Sequence, residues 1–514
     1  MTGRMSLARA FATVGSFTLM SRILGFVRDV LMARYLGAGL AADVFFVAFK
    51  LPNFFRRLFA EGAFSAAFVP MFSRALGQRA GADARLVAKA FAEDALSVLL
   101  LALLVLTALM EALMPLAMIA LAPGFAEDPE KFDAAVALTR LSFPYLMLIS
   151  LASLFAGILN ACGRYAAAAG APILLNLCLI AAMLLFRDSP LETARALAIA
   201  VSIAGVAQLL LLMFAAGRAG FRLGLPRPRL TPAVRRLLSV MMPVALGAGM
   251  AQINLMIDIV LASLLPEGSL SWLFYADRLS QLPLGVIGIA IGTVLLPGLS
   301  RRLATGERGA ANADHNRAIE YALLLTLPAA AGLIAIGHPI VTALFGHGAF
   351  DTEDSTRTAA ALMAFAAGLP AFVLVKTLIP GFYAREDMKR PVRYALVALI
   401  VNLVLNLLLM GPLGHVGLAL ATTIAACANA ALLWRNLVRH HGFRAEDRLR
   451  HAARAILGAS LLLGIGLHLG DRLLEGLPAL LRIALLIPAG LLSYALLASL
   501  MGGLRISELR RRRA

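Results

Sequence analysis

The chain is expected to be an all-α polytopic membrane protein. It should hold fourteen transmembrane helices, arranged as two pseudo-symmetric six-helix lobes plus two extra C-terminal helices. Composition, the pattern of its connections and an internal repeat carry that expectation. Of the 514 residues 61% are hydrophobic, and mean hydropathy is +0.84. Soluble domains are typically ~45–50% apolar, so the excess is a membrane signal and not a large core. Charged residues make up 15% and cluster between apolar runs, with a formal net charge of +18. On a soluble protein that balance would suggest nucleic acid. Here arginine in short connections sets topology by the positive-inside rule, and no nucleic-acid partner is expected.

A run of ~17–25 apolar residues spans a bilayer as a helix. Fourteen such runs are present: 9–36, 40–73, 87–121, 132–160, 166–186, 192–217, 232–264, 269–300, 318–345, 356–383, 391–411, 414–438, 449–469 and 478–502. The second and third exceed a simple span, so kinks or interfacial extensions are expected there. Arg4 and Arg9 stand before an apolar segment that lacks a small-residue cleavage site, which reads as a retained helix and not a signal peptide. Every second connection is basic: Arg74, Arg79 and Arg85 after span 2, then Arg164, then the arginine-rich 218–236 segment, and so on to Arg510–Arg513 in the tail. The intervening connections, such as APGFAEDPEK and GHGAFDTEDS, are neutral or acidic. An even number of spans with both termini in the cytoplasm gives this alternation.

The repeat appears twice. FVPMFSRAL (68–76) resembles LLPGLSRRL (295–303) at an offset of 227, and 143–177 resembles 369–403 at an offset of 226, matching Pro144 to Pro370 and Asn176 to Asn402. Six spans fit in that period, so the halves run parallel, related by an axis along the membrane normal. The expected division is an N-lobe at 1–219, a cytoplasmic linker at 220–232, a C-lobe at 233–440, and spans 13 and 14 with a basic tail at 441–514.

Span 2 carries Asp43, Lys50, Arg56, Arg57 and Glu61 among phenylalanines and leucines. Each charge at a bilayer centre costs ~2.5–3.5 kcal/mol even on the lenient insertion scale. Asp43, Lys50 and Arg57 recur every seven residues, nearly two turns, which places them on one helical stripe. Pro52 inside the stripe should bend the helix. A salt-bridge ladder with snorkelling ends is the plainer explanation; a stripe facing a polar cavity is the sharper one. Span 1 adds Arg22, Arg28 and Asp29, with Gly25 as a point where a kink could gather them; simple pairing near an interface is the alternative. Span 8 adds Asp277 and Arg278 at the matching depth of the second half. Together these spans offer six basic groups against four acidic ones. Guanidinium forks match phosphate bidentately, so a diphosphate or other polyanion fits better than a cationic drug.

Asp258 in span 7, Asn402 and Asn406 in span 11 and Thr422 in span 12 form a second constellation. Their oxygens could hold a monovalent cation such as sodium, or simply hydrogen-bond between helices. Gly288 and Gly292 fit small-residue helix packing. Cys162, Cys178 and Cys427 form no CxxC pair, so neither disulfides nor a zinc site is indicated. No GxxxxGK[ST], HExxH or GxSxG motif is present, so neither an ATPase nor another enzyme is expected.

SRILGFVRD (21–29), DVFFVAFKLPNFFRRLFAEGAFSAAFVP (43–70), FPYLMLISLASLFAGILN (143–160), SWLFYADRL (271–279) and PGFYAREDMKRPV (380–392) resemble the MurJ (MviN) family. Its members are flippases of the cell-wall precursor lipid II in the MOP exporter superfamily. The resemblance runs over nearly the whole chain. It implies two six-helix lobes in a V that work by alternating access, with two added helices forming a lipid-side groove. It also implies that Arg22, Arg28, Asp43, Arg56, Arg57, Asp277 and Arg278 line a central cavity. Some members bind sodium through an Asp, an Asn-x-x-x-Asp pair and a Thr; Asn406 here stands where that pattern has Asp. The resemblance implies a multi-pass protein of the bacterial inner membrane. Its partners would be lipid II, membrane lipids and cell-wall synthesis proteins, and no cofactor beyond a sodium ion is expected. A flippase for another polyprenyl-linked glycan, a cation-coupled exporter and a non-transporting envelope scaffold are the alternatives.

Overall fold

In the computed structural model, residues 7–57, 64–77 and 82–504 are described, excepting the side chains of 7–11, 82, 246–251 and 286–294. Arg4, Glu61, Arg79 and Arg510–Arg513 lie outside the described residues, and the Gly288/Gly292 pair lies where no side chain is described. Among the described residues the ordered backbone is helical, with no strand. Lipid demands this, because a helix satisfies every N–H and C=O within its own segment. All fourteen apolar runs are helical over most of their described length, several with interruptions. Nine helical stretches among the described residues are long and apolar enough to cross a membrane.

The chain forms two compact units, 1–268 and 269–514. The first comprises α1 (Leu7–Leu36), α2 (Leu40–Phe55), α3 (Ser65–Gly77), α4 (Ala82–Ala112), α5 (Met114–Leu121), a 3-10 turn (Pro123–Glu127), α6 (Pro129–Ser142), α7 (Tyr145–Ala161), α8 (Ala166–Leu185), α9 (Pro190–Arg218) and α10 (Pro232–Ser263). The boundary therefore falls one helix later than the 220–232 segment. That segment is fastened to unit 1: Phe221 packs edge-on against Phe72, and Gly224 N donates to Glu93 Oε1 at 2.6 Å. The far end of α10 is fastened too. Gly124 N donates to Ser263 Oγ at 3.3 Å, and Gly124 is needed because a Cβ there would collide with the Ser263 carbonyl.

The long second, third and fourth runs are each interrupted. Pro52 lies inside α2, and lacking an N–H it leaves the Ala48 carbonyl without its helical donor. Ser142 Oγ donates to that carbonyl at 3.2 Å. The backbone then widens into a π turn at Arg56 and Arg57. Pro115 opens α5 beyond a break at Leu113. Pro144 separates α6 from α7, and Ser202 Oγ donates to the Leu141 carbonyl at 2.6 Å.

Unit 2 comprises α11 (Ser269–Ala304), α12 (Arg308–Ala335), α13 (Gly337–Phe345), α14 (Thr352–Tyr383), α15 (Lys389–His441), α16 (Asp447–Leu473) and α17 (Ala479–Leu500). The 53 residues of α15 are two helices joined at Gly414, whose φ of 55° and ψ of −135° are non-helical and suit glycine. The Asn402–Thr422 hydrogen bond at 3.3 Å requires a reversal there, since twenty residues of straight helix would set them about 30 Å apart. The two added helices belong to unit 2. Leu463, Leu467 and Leu486 cluster with Ile336, and Tyr494 donates its hydroxyl to the Leu324 carbonyl at 2.8 Å.

Candidate functional site

The charged residues of span 1 resolve into one closed network and one open arginine. Arg28 and Asp29 are 8% and 3% exposed. Buried charges need partners, and these have them. Asp29 Oδ1 accepts from Arg28 Nε at 3.0 Å and Nη2 at 2.6 Å. Arg28 Nη1 donates to Asn176 Oδ1 at 3.0 Å, and Asn176 Nδ2 donates to the Ser21 carbonyl at 3.0 Å. The chain of bonds runs from α1 to α8 and back. Arg28 is thus held in one orientation without a kink, since α1 is continuous through Gly25. Arg22, six residues earlier, is exposed.

On α2 the stripe passes from buried to exposed. Asp43, 2% exposed, sits in the first turn. Its Oδ2 accepts from Lys131 Nζ at 3.0 Å and from Gly268 N at 2.9 Å. Next to it, Leu40 N donates to Glu267 Oε1 at 2.6 Å. Asp128 positions Lys131 by capping α6, accepting from the Glu130 and Lys131 amides at 3.0 and 3.2 Å, with Pro129 at the first helical position. The ammonium also lies 4.6 Å from the centre of the Phe125 ring, a favourable cation–π placement. Lys131 is absent from the expected site. Its signal was the single base in the otherwise acidic APGFAEDPEK connection. Further along, Lys50 is half-buried, Arg56 is half-buried with its Nε donating to Asn53 Oδ1 at 3.0 Å, and Arg57 is exposed. The π turn shifts the helical phase, so the seven-residue register holds to Phe55 and not beyond it.

In unit 2, Asp277 and Arg278 are neighbours on α11, both half-buried. Asp277 Oδ2 accepts from Gln281 Nε2, and the Arg278 guanidinium lies 4.8 Å from the Phe274 ring centre. Asn402, Asn406 and Thr422 come together. Asn406 Nδ2 donates to Asn402 Oδ1 at 3.2 Å, Asn402 Nδ2 to Thr422 Oγ1 at 3.3 Å, and Thr422 Oγ1 to the Leu418 carbonyl at 3.0 Å. Asp258 lies on α10 in unit 1 and is half-buried. No cluster of three or more His, Cys, Asp or Glu suited to a metal occurs among the described residues.

The 380–392 motif forms the turn between α14 and α15. Asp387 Oδ2 lies 3.0 Å from His441 Nε2 and 3.2 Å from Arg390 Nη1. Burial works to raise the Asp387 carboxyl, but the Arg390 amide, His441 and the Arg390 charge hold it below the usual carboxylate range.

The family model described as "Lipid II flippase MurJ" matches residues 32–481. A probable lipid II flippase MurJ of Rhizobium tropici is 45% identical over 519 residues, covering 99% of this chain and 96% of the relative. The lipid II flippase MurJ of Burkholderia cenocepacia is 37% identical, covering 90% of each. The solved structure of a lipid II flippase MurJ in an inward closed conformation superposes with a TM-score of 0.79 at 26% identity, covering 95% of this chain and 98% of that one. An inward-facing multidrug MATE transporter of the MOP superfamily shares the fold at a TM-score of 0.63 and 16% identity. A multi-pass helical membrane architecture, a buried arginine held by carboxylate and amide partners, and relatives matched over nearly their whole length agree: the chain belongs to the lipid II flippase MurJ family.

Proposed function

We propose that the chain moves lipid II, the undecaprenyl-diphosphate-linked peptidoglycan precursor, from the inner to the outer leaflet of the bacterial cytoplasmic membrane by alternating access. Both termini face the cytoplasm, and cell-wall synthesis proteins supply and remove the lipid. Family membership supports the substrate. Within the molecule, the observation that carries the reading is Arg28, a buried guanidinium oriented by Asp29 and Asn176. An isolated structural charge would be selected against in a bilayer, whereas an oriented fork is suited to diphosphate. The polyprenyl tail stays in lipid. The diphosphate is held by Arg28 and Arg57 of unit 1 and Arg278 of unit 2, with Arg22, Lys50 and Arg56 contributing positive potential. Asp29 competes for Arg28 once the head group leaves, and Asp277 does so for Arg278. Asp43 positions the arginines as well, and its bonds from Lys131 and the Gly268 amide fix the start of α2.

The inward-negative potential supplies a driving force of ~2.3 kcal/mol per moving charge per 100 mV. A sodium ion on Asp258, Asn402, Asn406 and Thr422 is the coupling-ion reading that the oxygen donors of the last three would allow. Asn402, Asn406 and Thr422 also hydrogen-bond to one another, and no transport step is assigned to the ion. In cells depleted of their native flippase, Arg28→Ala and Arg278→Ala are each expected to abolish complementation while inserting at wild-type levels. Growth supported by both variants would contradict the clamp.

A further inference from the structure

Unit 2 contains a cavity apart from the charged residues proposed to hold the diphosphate. It measures about 800 Å³ and lies where α12, α14, the end of α15 and the start of α16 meet. Small-molecule sites occupy roughly 300–1,000 Å³. Ile319, Phe443 and Leu449 are buried at its floor, and Leu374 and Trp434 are its half-buried walls. Its mouth is polar, formed by Arg444, Glu446, Asp447 and Arg450.

The mouth is held in place. Asn312 and Asn316, one turn apart on α12, grip the backbone of the 444–446 connection. Asn312 Nδ2 donates to the Arg444 carbonyl at 3.0 Å, and Arg444 N donates back to Asn312 Oδ1 at 2.9 Å. Asn316 Nδ2 donates to the same carbonyl at 2.9 Å, and Glu446 N donates to Asn316 Oδ1 at 3.1 Å. Glu320 then takes Arg448 at 3.2 Å, which removes that arginine from the mouth's charge balance. Two guanidiniums and two carboxylates remain. The Arg450–Asp447 pair, 3.2 Å apart, is exposed on both sides, so water screens it and an incoming group can divide it at little cost.

An apolar cleft offers water few of the polar partners it needs, so a hydrocarbon chain suits it better. Trp434 is the kind of amphipathic side chain that marks the membrane–water boundary. A purely anionic head group at the mouth would face Glu446 and Asp447 as well as the arginines. A head with both phosphate and ammonium matches both signs. We infer that the cavity holds an acyl chain of one phospholipid of the phosphatidylethanolamine class. Its phosphate lies at Arg444 and Arg450 and its ammonium at Glu446 and Asp447. The bound lipid fills the seam through which α16 joins the rest of unit 2.

The chain has only two tryptophans, which makes the test direct. Trp272 donates to Asp354 Oδ1, and Asp354 stands about 30 Å along α14 from Leu374. The full-length protein in detergent is titrated with phospholipids brominated in the acyl chain, and the Trp434 signal is taken as wild type minus Trp434→Phe. Quenching is expected to saturate, with a half-point at a mole fraction at least fivefold lower for phosphatidylethanolamine than for phosphatidylglycerol. Ala453→Phe and Val438→Phe fill the cavity from different helices, and each should raise the half-point at least fivefold without lowering the melting temperature. Quenching that rises linearly and equally for both heads would overturn the site. So would a preference for phosphatidylglycerol, or stoichiometric displacement by undecaprenyl phosphate. Unchanged quenching in both filled variants would overturn it as well.

Discussion

Asn176 and Asn402 occupy equivalent points of the internal repeat and do opposite work. In unit 1 the Asn176 amide bridges a buried guanidinium and a backbone carbonyl, joining α8 to α1. In unit 2 the Asn402 amide meets another amide and a hydroxyl, joining the two arms of α15. Both amides obey the same demand, that a buried polar group be hydrogen-bonded. The difference lies in the partner. Unit 1 uses the position to hold charge, and unit 2 uses it to hold a helical hairpin. The two halves thus share an amide at this position and differ in whether a charge stands beside it.

Removing partners one at a time sharpens that contrast. The largest effect on stability is expected from Lys131→Met, which removes the ammonium 3.0 Å from the buried Asp43 carboxylate. Breaking a buried pair costs about 3–5 kcal/mol, measurable as lost resistance to denaturant in detergent. Pairing it with Asp43→Asn should recover most of the loss, because the uncompensated charge is then gone. Next is the pair at the repeat. Asn176→Ala removes a hydrogen bond to a charged group, worth ~1.5–3 kcal/mol, and Asn402→Ala removes neutral ones, worth ~0.5–1.5 kcal/mol. Only Asn176→Ala should also impair complementation, since it removes the bond that orients Nη1 of Arg28. Equal transport defects in the two variants would erase the distinction between the halves. The smallest effect is expected from Ser142→Ala, which strips the Ala48 carbonyl of its substitute donor beside Pro52, at ~1 kcal/mol with transport retained.

Much of this was legible in the residues. Hydropathy and the alternation of basic and acidic connections located the helices, because lipid leaves the backbone so few options. The GPLGHVG turn was visible as a break between two apolar runs, and the structure makes its Gly414 the point of reversal. Pairing was harder. Spacing left open whether Arg22, Arg28 and Asp29 gather at a kink or pair near an interface. Arg28 takes Asp29, its neighbour in sequence, at 2.6 Å. Ideal helix geometry disfavours i,i+1 contacts, but burial makes the nearest available countercharge decisive. Lys131 escaped notice because counting its connection as acidic averaged the one base away. The seven-residue spacing on α2 could not show that Asp43 would be buried while Arg57 stayed exposed beyond the π turn. That depends on α6, a segment almost ninety residues away in sequence.

The central claim is that oriented arginines carry the diphosphate of lipid II across the membrane. The most direct test measures lipid II accessible at the outer face of cells that depend on this chain, with wild type, Arg28→Ala and Asn402→Ala at matched expression. Wild type and Asn402→Ala should both expose lipid II, and Arg28→Ala should not. Wild-type accessibility with Arg28→Ala would contradict the account.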